Sequence, residues 1–241
     1  MVTVQDSERV LLDQLADSAE LHLAQNYFSR FLPFIRILEP PPGRGNIPFE
    51  PWPHLMEVCD ILGSKKLLVW LKSRQTGASW LLAAYSLWMA QYHHGAVILL
   101  LSQGEEEAKK LLGKCKYIYE MLPPGLRVQT GIDSRQELTF PSMASAITAL
   151  PSTEKAGRSI TASLIIMDEA DFHEYADSSF AAVKPTIDDS GGQLIMVSTS
   201  NATSSGSLFK KMYREAPKNG FSKVFYGWNV RPGRDNAWYD E

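Results

Sequence analysis

Cysteine is nearly absent from this 241-residue chain: only Cys59 and Cys115 occur. Neither has Cys or His neighbours at metal-ligand spacing, so a disulfide framework and a structural zinc site are both excluded. They read as two isolated buried thiols. Long apolar runs are also missing. None approaches the ~20 residues of a membrane span, and Met1 to Glu8 lacks the basic-then-apolar layout of a secretory signal. A soluble, intracellular protein is the expectation. There is no excess of positive charge either. The 24 Lys and Arg against 27 Asp and Glu leave a net charge of −3, which excludes a wholly basic nucleic-acid binder and confines any DNA contact to a local patch. The histidines at 22, 93, 94 and 173 are scattered, and none pairs with a serine or cysteine in a nucleophilic arrangement. Internal repeats and low-complexity tracts are absent. What the chain does have is apolar residues, at 44% of the total. At this length a chain buries roughly 70% of its unfolded surface, so one large globular body is expected.

From Val4 to Ile37 apolar residues recur at three- and four-residue steps (Leu11, Leu12, Leu15, Ala19, Leu23, Phe31) without an internal glycine, which predicts one or two helices. The stretch Glu39-Pro-Pro-Pro-Gly-Arg-Gly-Asn-Ile-Pro48 then predicts a break in regular structure, a linker. Beyond it, short apolar runs alternate with amphipathic segments. Lys66 to Leu71, Ala96 to Leu101, Leu164 to Met167 and Leu194 to Val197 are the predicted strands; Ser79 to His93 and Glu105 to Met121 are the predicted helices. This alternation predicts an α/β fold whose mainly parallel sheet is covered on both faces. Glu137 to Phe140 with Ala146 to Leu150 predicts a hairpin ahead of the Leu164 strand.

Three segments carry chemistry. In Lys66-Leu-Leu-Val-Trp-Leu-Lys-Ser-Arg-Gln-Thr-Gly-Ala-Ser-Trp80 an apolar strand runs through a tight polar loop into a helix, the layout of a phosphate-binding loop. Backbone amides at a helix N-terminus face an anion, and a first-turn hydroxyl reaches a magnesium ion. The loop is Lys72, Ser73, Arg74, Gln75, Thr76, Gly77, Ala78 and Ser79. Against G-x-x-x-x-G-K-[ST], Gly77 and Ser79 match, whereas Lys72 replaces the first glycine and Ala78 the lysine. The phosphate cation must then be Lys72, curling back from the loop's opening, or Arg74. An ordinary strand-to-helix connection is the other reading of this segment alone. The second segment, Ser163-Leu-Ile-Ile-Met-Asp-Glu-Ala-Asp-Phe172, is a buried strand ending in an acidic pair. Asp168 is placed to join a magnesium shell and Glu169 to orient or deprotonate the attacking water. A strand that merely ends in a solvated acidic turn, continued by Asp171 and Glu174, is the alternative. The third, Gln193-Leu-Ile-Met-Val-Ser-Thr-Ser-Asn201, ends in Ser198, Thr199, Ser200 and Asn201, side chains able to sense a γ-phosphate but equally common in turns.

Taken together, the lysine-first loop, the strand ending Met-Asp-Glu-Ala-Asp-Phe and the strand ending Ser-Thr-Ser resemble the ATPase domain of the tailed-phage DNA-packaging terminase large subunit. The resemblance covers about Phe49 to Trp238. It implies a P-loop NTPase three-layer sandwich with a mainly parallel central sheet, N-terminal helices and a small C-terminal lid. The expected divisions are 1–45 (helical extension and linker), 46–202 (ATPase core) and 203–241 (lid or linker). It further implies ATP and Mg2+ as cofactors and double-stranded DNA as cargo. Portal protein and small terminase subunit are the implied partners, and the host cytoplasm is the implied location of a homo-oligomeric ring without membrane contact. The nuclease that normally follows such a motor is not expected in this chain. Ala149-Leu-Pro-Ser-Thr-Glu-Lys-Ala-Gly-Arg-Ser-Ile-Thr-Ala-Ser163 is similar to the segment such proteins carry before the acidic strand, and Arg158 matches an arginine that reaches a neighbouring subunit's nucleotide. A surface arginine is the alternative. The family's base-reading glutamine is replaced by Leu55 in Phe49-Glu-Pro-Trp-Pro-His-Leu55, leaving Trp52 either beside the adenine, with Glu50 or His54 as polar contacts, or in the core.

Two other classes fit parts of the pattern. A helicase-like ATPase would need a second motor-like domain, for which this length has no room. A nucleotide-binding assembly module that hydrolyses nothing fits the missing lysine at position 78; measured turnover separates the two. Lys109, Lys110, Lys114 and Lys116 on the second predicted helix read as a solvated face, as do Lys210, Lys211 and Arg214 further on, although either group could meet phosphates.

Overall fold

In a computed structural model of the chain, residues 16–151 and 160–240 are described. Residues 16–26 form α1, and α2 is Phe28–Phe31. Both lie within the span read as helical. The Pro/Gly stretch that follows does not simply break structure. It turns a hairpin, with β1 (Arg36–Glu39) antiparallel to β2 (Gly45–Pro48) and Ile37 opposite Ile47. The intervening prolines have no amide to contribute, and Gly45, at φ +73°, supplies the left-handed residue the return needs.

Next come α3 (Pro53–Ser64), β3 (Leu67–Lys72), α4 (Ala78–Tyr92), β4 (Val97–Ser102) and α5 (Glu105–Met121). The hairpin β5 (Glu137–Phe140) and β6 (Ser145–Pro151) precedes β7 (Leu164–Asp168), α6 (Ala176–Ser190) and β8 (Gln193–Ser198). The described chain ends with α7 (Leu208–Glu215), β9 (Ser222–Tyr226) and α8 (Asn236–Asp240). Seven strands make one sheet in the order β5-β6-β4-β7-β8-β3-β9, parallel throughout except for the β5–β6 hairpin. β9 extends this sheet beyond β3, so part of the span expected to form a separate lid belongs to the central sheet.

The strands alternate their side chains between two apolar layers, as the period of two requires. Leu68, Trp70, Ile98, Leu100, Leu164, Ile166, Ile195 and Val197 face the layer that includes α3, α4 and α5. Val69, Leu99, Leu101, Ile165, Met167, Leu194 and Met196 face the one that includes α6 and α7. This is a three-layer sandwich. The run Leu164–Asp168 is buried at every position, as a strand covered on both faces must be. The N-terminal helices lock onto α4: the Trp88 indole donates to the Ala24 carbonyl at 3.0 Å, and Phe28 meets Tyr85 edge-on at 4.9 Å. Cys59 and Cys115 are buried free thiols, each pushed up to about 12 by burial. Among the described residues no helix is long and apolar enough to cross a membrane.

Candidate functional site

Because β3, β7 and β8 run parallel side by side, their carboxyl ends emerge at one edge, with Leu71 paired to Ser198 and Asp168 to Val197. The loop from β3 to α4 tightens through two left-handed residues, Gln75 at φ 60° and Gly77 at φ 82°. Gly77 also lacks room for a side chain, since a Cβ there would lie 2.8 Å from Leu55 Cδ1. Thr76 is buried, its hydroxyl donating to the Ser73 carbonyl at 3.3 Å, while His54 Nε2 meets the Thr76 carbonyl at 2.9 Å. Burial holds the His54 imidazole below its usual range, favouring the neutral ring, which here donates to that carbonyl. Gly77 caps α4 without a side-chain oxygen, so the amides of the first turn stay available to an anion.

Lys72, at the end of β3, is buried, and its ammonium donates to Glu169 Oε1 at 2.9 Å. Glu169 holds a left-handed backbone (φ 50°) that costs on the order of 1–3 kcal/mol and must be held by its surroundings. It is held by Lys72 on one oxygen. On the other, the Thr199 amide donates at 3.0 Å, the Thr199 hydroxyl at 3.2 Å and the Ser198 hydroxyl at 3.3 Å. Burial pushes the Glu169 carboxyl upward, but the Lys72 charge and these donors outweigh it, leaving the group below the usual carboxylate range. Asp168 goes the other way: burial raises it despite Lys72. Its Oδ2 accepts from the Ser79 hydroxyl at 3.4 Å, and its carbonyl meets His173 Nε2 at 2.8 Å. One hydroxyl and one carboxylate form a hard oxygen donor set that suits Mg2+, which keeps most of its shell for waters and phosphates.

The acidic turn is not solvated at Asp171, whose side chain is 0% exposed. Its carboxylate accepts from the Asn201 amide at 2.6 Å and from the Ser207 hydroxyl, the N-cap of α7, and pairs with Lys210 at 3.3 Å. Lys210 thus leaves the solvated face on which it was expected. The ends of β7 and β8 are therefore tied twice, through Glu169 and through Asp171. Ser200 is exposed and makes no hydrogen bond among the described residues.

Beside the loop a cleft of 640 Å³ opens beneath the β1–β2 hairpin, lined by Leu38, Pro41, Trp52, Leu55, Gly77 and Arg231. The Trp52 ring centre lies 5.9 Å from the Arg231 guanidinium. Arg231 and Arg234 both donate to Gln75 Oε1, at 2.7 and 2.8 Å, and Arg234 also reaches the Arg74 carbonyl at 3.1 Å. The Arg74 guanidinium is exposed, without an ion pair among the described residues. Arg158 lies outside the described residues.

A family model described as the terminase large subunit, T4likevirus-type, N-terminal, matches residues 69–229. The chain belongs to this family. Its fold is that of the terminase ATPase domain. The large terminase ATPase domain of Thermus phage P74-26 superposes with a TM-score of 0.65 at 17% identity, over 80% of this chain and 87% of that one. The large terminase of bacteriophage HK97 gives 0.61 at 16% identity, over 86% of this chain and 45% of that one. That of the thermophilic bacteriophage D6E, in complex with ATP-gamma-S, gives 0.61 at 10% identity, over 79% and 48%. This chain therefore spans about half the length of the two larger terminases. No curated protein matches it.

Of the candidate residues in this terminase domain, Lys72, Ser79, Asp168, Glu169, Ser198 and Thr199 are brought together. Arg231, Arg234 and Asp171 were missed. Asp171 sits beside the acidic pair and was readable from the apolar strand before it, whereas the two arginines carry no local signal.

Proposed function

We propose that this domain binds Mg–ATP in the loop between β3 and α4 and hydrolyses it to drive double-stranded DNA into a viral procapsid. The observation that carries this reading is the convergence of Lys72, Ser79, Asp168 and Glu169 at one sheet edge, beside the uncapped start of α4. Lys72 offers its ammonium to the phosphates, and an anion there competes with Glu169 for it. Ser73, Arg74, Gln75, Thr76, Gly77 and Ala78 supply the loop, their backbone wrapping the phosphates. Ser79 and Asp168 hold the metal, which neutralises phosphate charge and orients the terminal group. Glu169, kept ionised, aligns and deprotonates the attacking water. Ser198, Thr199 and Ser200 sense the γ-phosphate, two of them through Glu169 itself. The 640 Å³ cleft suits a nucleoside, with Trp52 offering a ring face to the base.

Arg158 serves a neighbouring subunit's nucleotide in a ring assembled with portal protein and small terminase subunit. One experiment tests enzyme and ring together. Glu169→Gln should keep nucleotide binding while turnover falls by orders of magnitude, and Arg158→Ala should do likewise. Mixed under conditions of proven assembly, the two should recover part of the turnover, since a Glu169→Gln subunit lends its arginine to a neighbour whose Glu169 is intact. Unchanged turnover in Glu169→Gln would remove Glu169 from the role of base, and no turnover by the unaltered chain under conditions of proven assembly would remove the enzyme reading. Mixtures as inactive as their parents would remove the trans role of Arg158.

A further inference from the structure

Four lysines punctuate α5, and three of them are accounted for. Lys109 pairs with Glu105 and Glu106, Lys110 with Glu107, and Lys116 with Asp133. Lys114 has no ion pair or hydrogen bond among the described residues. Its ammonium instead lies 5.8 Å from the centre of the Trp80 ring, and Tyr117, one turn on, meets the same ring edge-on at 5.9 Å. Trp80 sits in the first turn of α4, next to Ser79, whose hydroxyl is bound to Asp168. So α5 delivers an unpaired cation to the edge of the nucleotide site, against the expectation of a solvated face. Lys114 is drawn out of water by burial, and the charge it interacts with most is that of Asp168.

Desolvating an ammonium without an acceptor costs several kcal/mol, and a lysine stem is long enough to avoid that by reaching solvent. The arrangement is favourable when an anion is brought to it. Charge counting points the same way. Asp168 and Glu169 carry two negative charges where Lys72 supplies one positive, and Asp171 is already matched by Lys210. Arg74, exposed in the same loop, adds a second positive charge, and Lys114 supplies a further one from α5 against a polyanionic ligand.

We propose that Lys114 is a second phosphate-contacting cation of the nucleotide site, an ammonium held against Trp80 that meets the terminal phosphate of a bound triphosphate. The proposal rests on the reading of this site as a nucleotide site. A role at the terminal phosphate separates triphosphate from diphosphate, which a purely structural lysine does not.

The test uses fluorescent ATP-gamma-S and ADP analogues with Mg2+, titrated into the unaltered chain and into Lys114→Met, Lys114→Arg and, as a surface control, Lys110→Met. The expected result is about a tenfold loss of triphosphate affinity in Lys114→Met, with diphosphate affinity changed by less than about twofold. Lys114→Arg should recover part of the loss, and Lys110→Met should match the unaltered chain. In parallel, amine acylation of the unaltered chain followed by mass spectrometry should find Lys114 protected by ATP-gamma-S and much less by ADP. That measurement stands even if a variant fails to fold. Equal losses for both nucleotides, or no loss together with no protection, would overturn the role of Lys114 while leaving the nucleotide site intact. If the unaltered chain binds neither analogue, the nucleotide reading and this proposal fall together.

Discussion

Replacing Lys72 by methionine keeps the length and apolar body of the side chain but deletes the charge facing Glu169. In the native arrangement the lysine side chain is 6% exposed and the glutamate 30%, with 2.9 Å between their charged atoms. Removing one partner of a fully buried pair costs about 3–5 kcal/mol, and of an exposed pair at most about 1. Glu169 lies between those limits and keeps the donors from Ser198 and Thr199, so about 2 kcal/mol of stability should be lost. For a domain of this size that is a fall in Tm of roughly 4–8 °C. The loss comes from a carboxylate left without its cation, so adding Glu169→Gln to the Lys72→Met background should restore much of it. Glu169→Gln alone should destabilise by a similar amount, because it leaves the buried ammonium unmatched. Thermal and urea unfolding of the four proteins closes the cycle, with an expected coupling of at least about 1 kcal/mol. Two single effects that add to within about 0.5 kcal/mol would refute the argument. The pH dependence supplies a sign test. Glu169 is held below the usual carboxylate range in the intact pair, so its contribution is present above that range and lost as pH falls through the depressed value. In Lys72→Met burial acts against a weakened opposition, and this acid sensitivity should shrink or reverse.

Two further outcomes follow from the geometry of the loop and the acidic turn. Gly77→Ala forces a Cβ into a left-handed position 2.8 Å from Leu55 Cδ1 and should cost about 1–3 kcal/mol in urea unfolding; adding Leu55→Ala relieves the contact but not the backbone strain, so full rescue would contradict this account. Asp171→Ala leaves the Asn201 amide and the Ser207 hydroxyl without their acceptor, while Lys210 keeps the Asn201 and Ser204 carbonyls, and should cost about 2–3 kcal/mol, whereas a change below about 1 kcal/mol would show that Asp171 is not the tie between β8 and α7.

The central strands were legible because burial on both faces leaves near-continuous apolar runs. Leu164 to Met167 and Leu194 to Val197 fall inside β7 and β8, and α5 has the predicted ends. β9 was not legible. It is a short edge strand whose burial alternates, and its Ser222 and Lys223 give it the polarity of a loop. α3 was not among the predicted helices, although it carries Leu55, Val58, Cys59 and Leu62 at helical spacing and the proline at its start is unstrained there. The chemical residues at strand ends could be read because each follows its own apolar run. Lys114, Arg231 and Arg234 could not, since what separates them from other surface cations is which element they pack against. The place of β9 in the central sheet was hidden for a related reason: its pairing with β3 is a long-range fact with no local trace.

The order of strands also fixes when this site can exist during the chain's own synthesis. β3 is completed early, but both of its neighbours come much later in the chain, with Leu67 paired to Leu194 and Leu68 to Ser222. A nascent chain still short of Gln193 has made Lys72 and its loop, yet it offers β3 no partner on either side and lacks Ser198 and Thr199 to hold Glu169. Such non-local pairing is slow to form and leaves apolar strand edges exposed in the meantime. The site therefore cannot be complete until β8, and with it Ser198 and Thr199, has been synthesised.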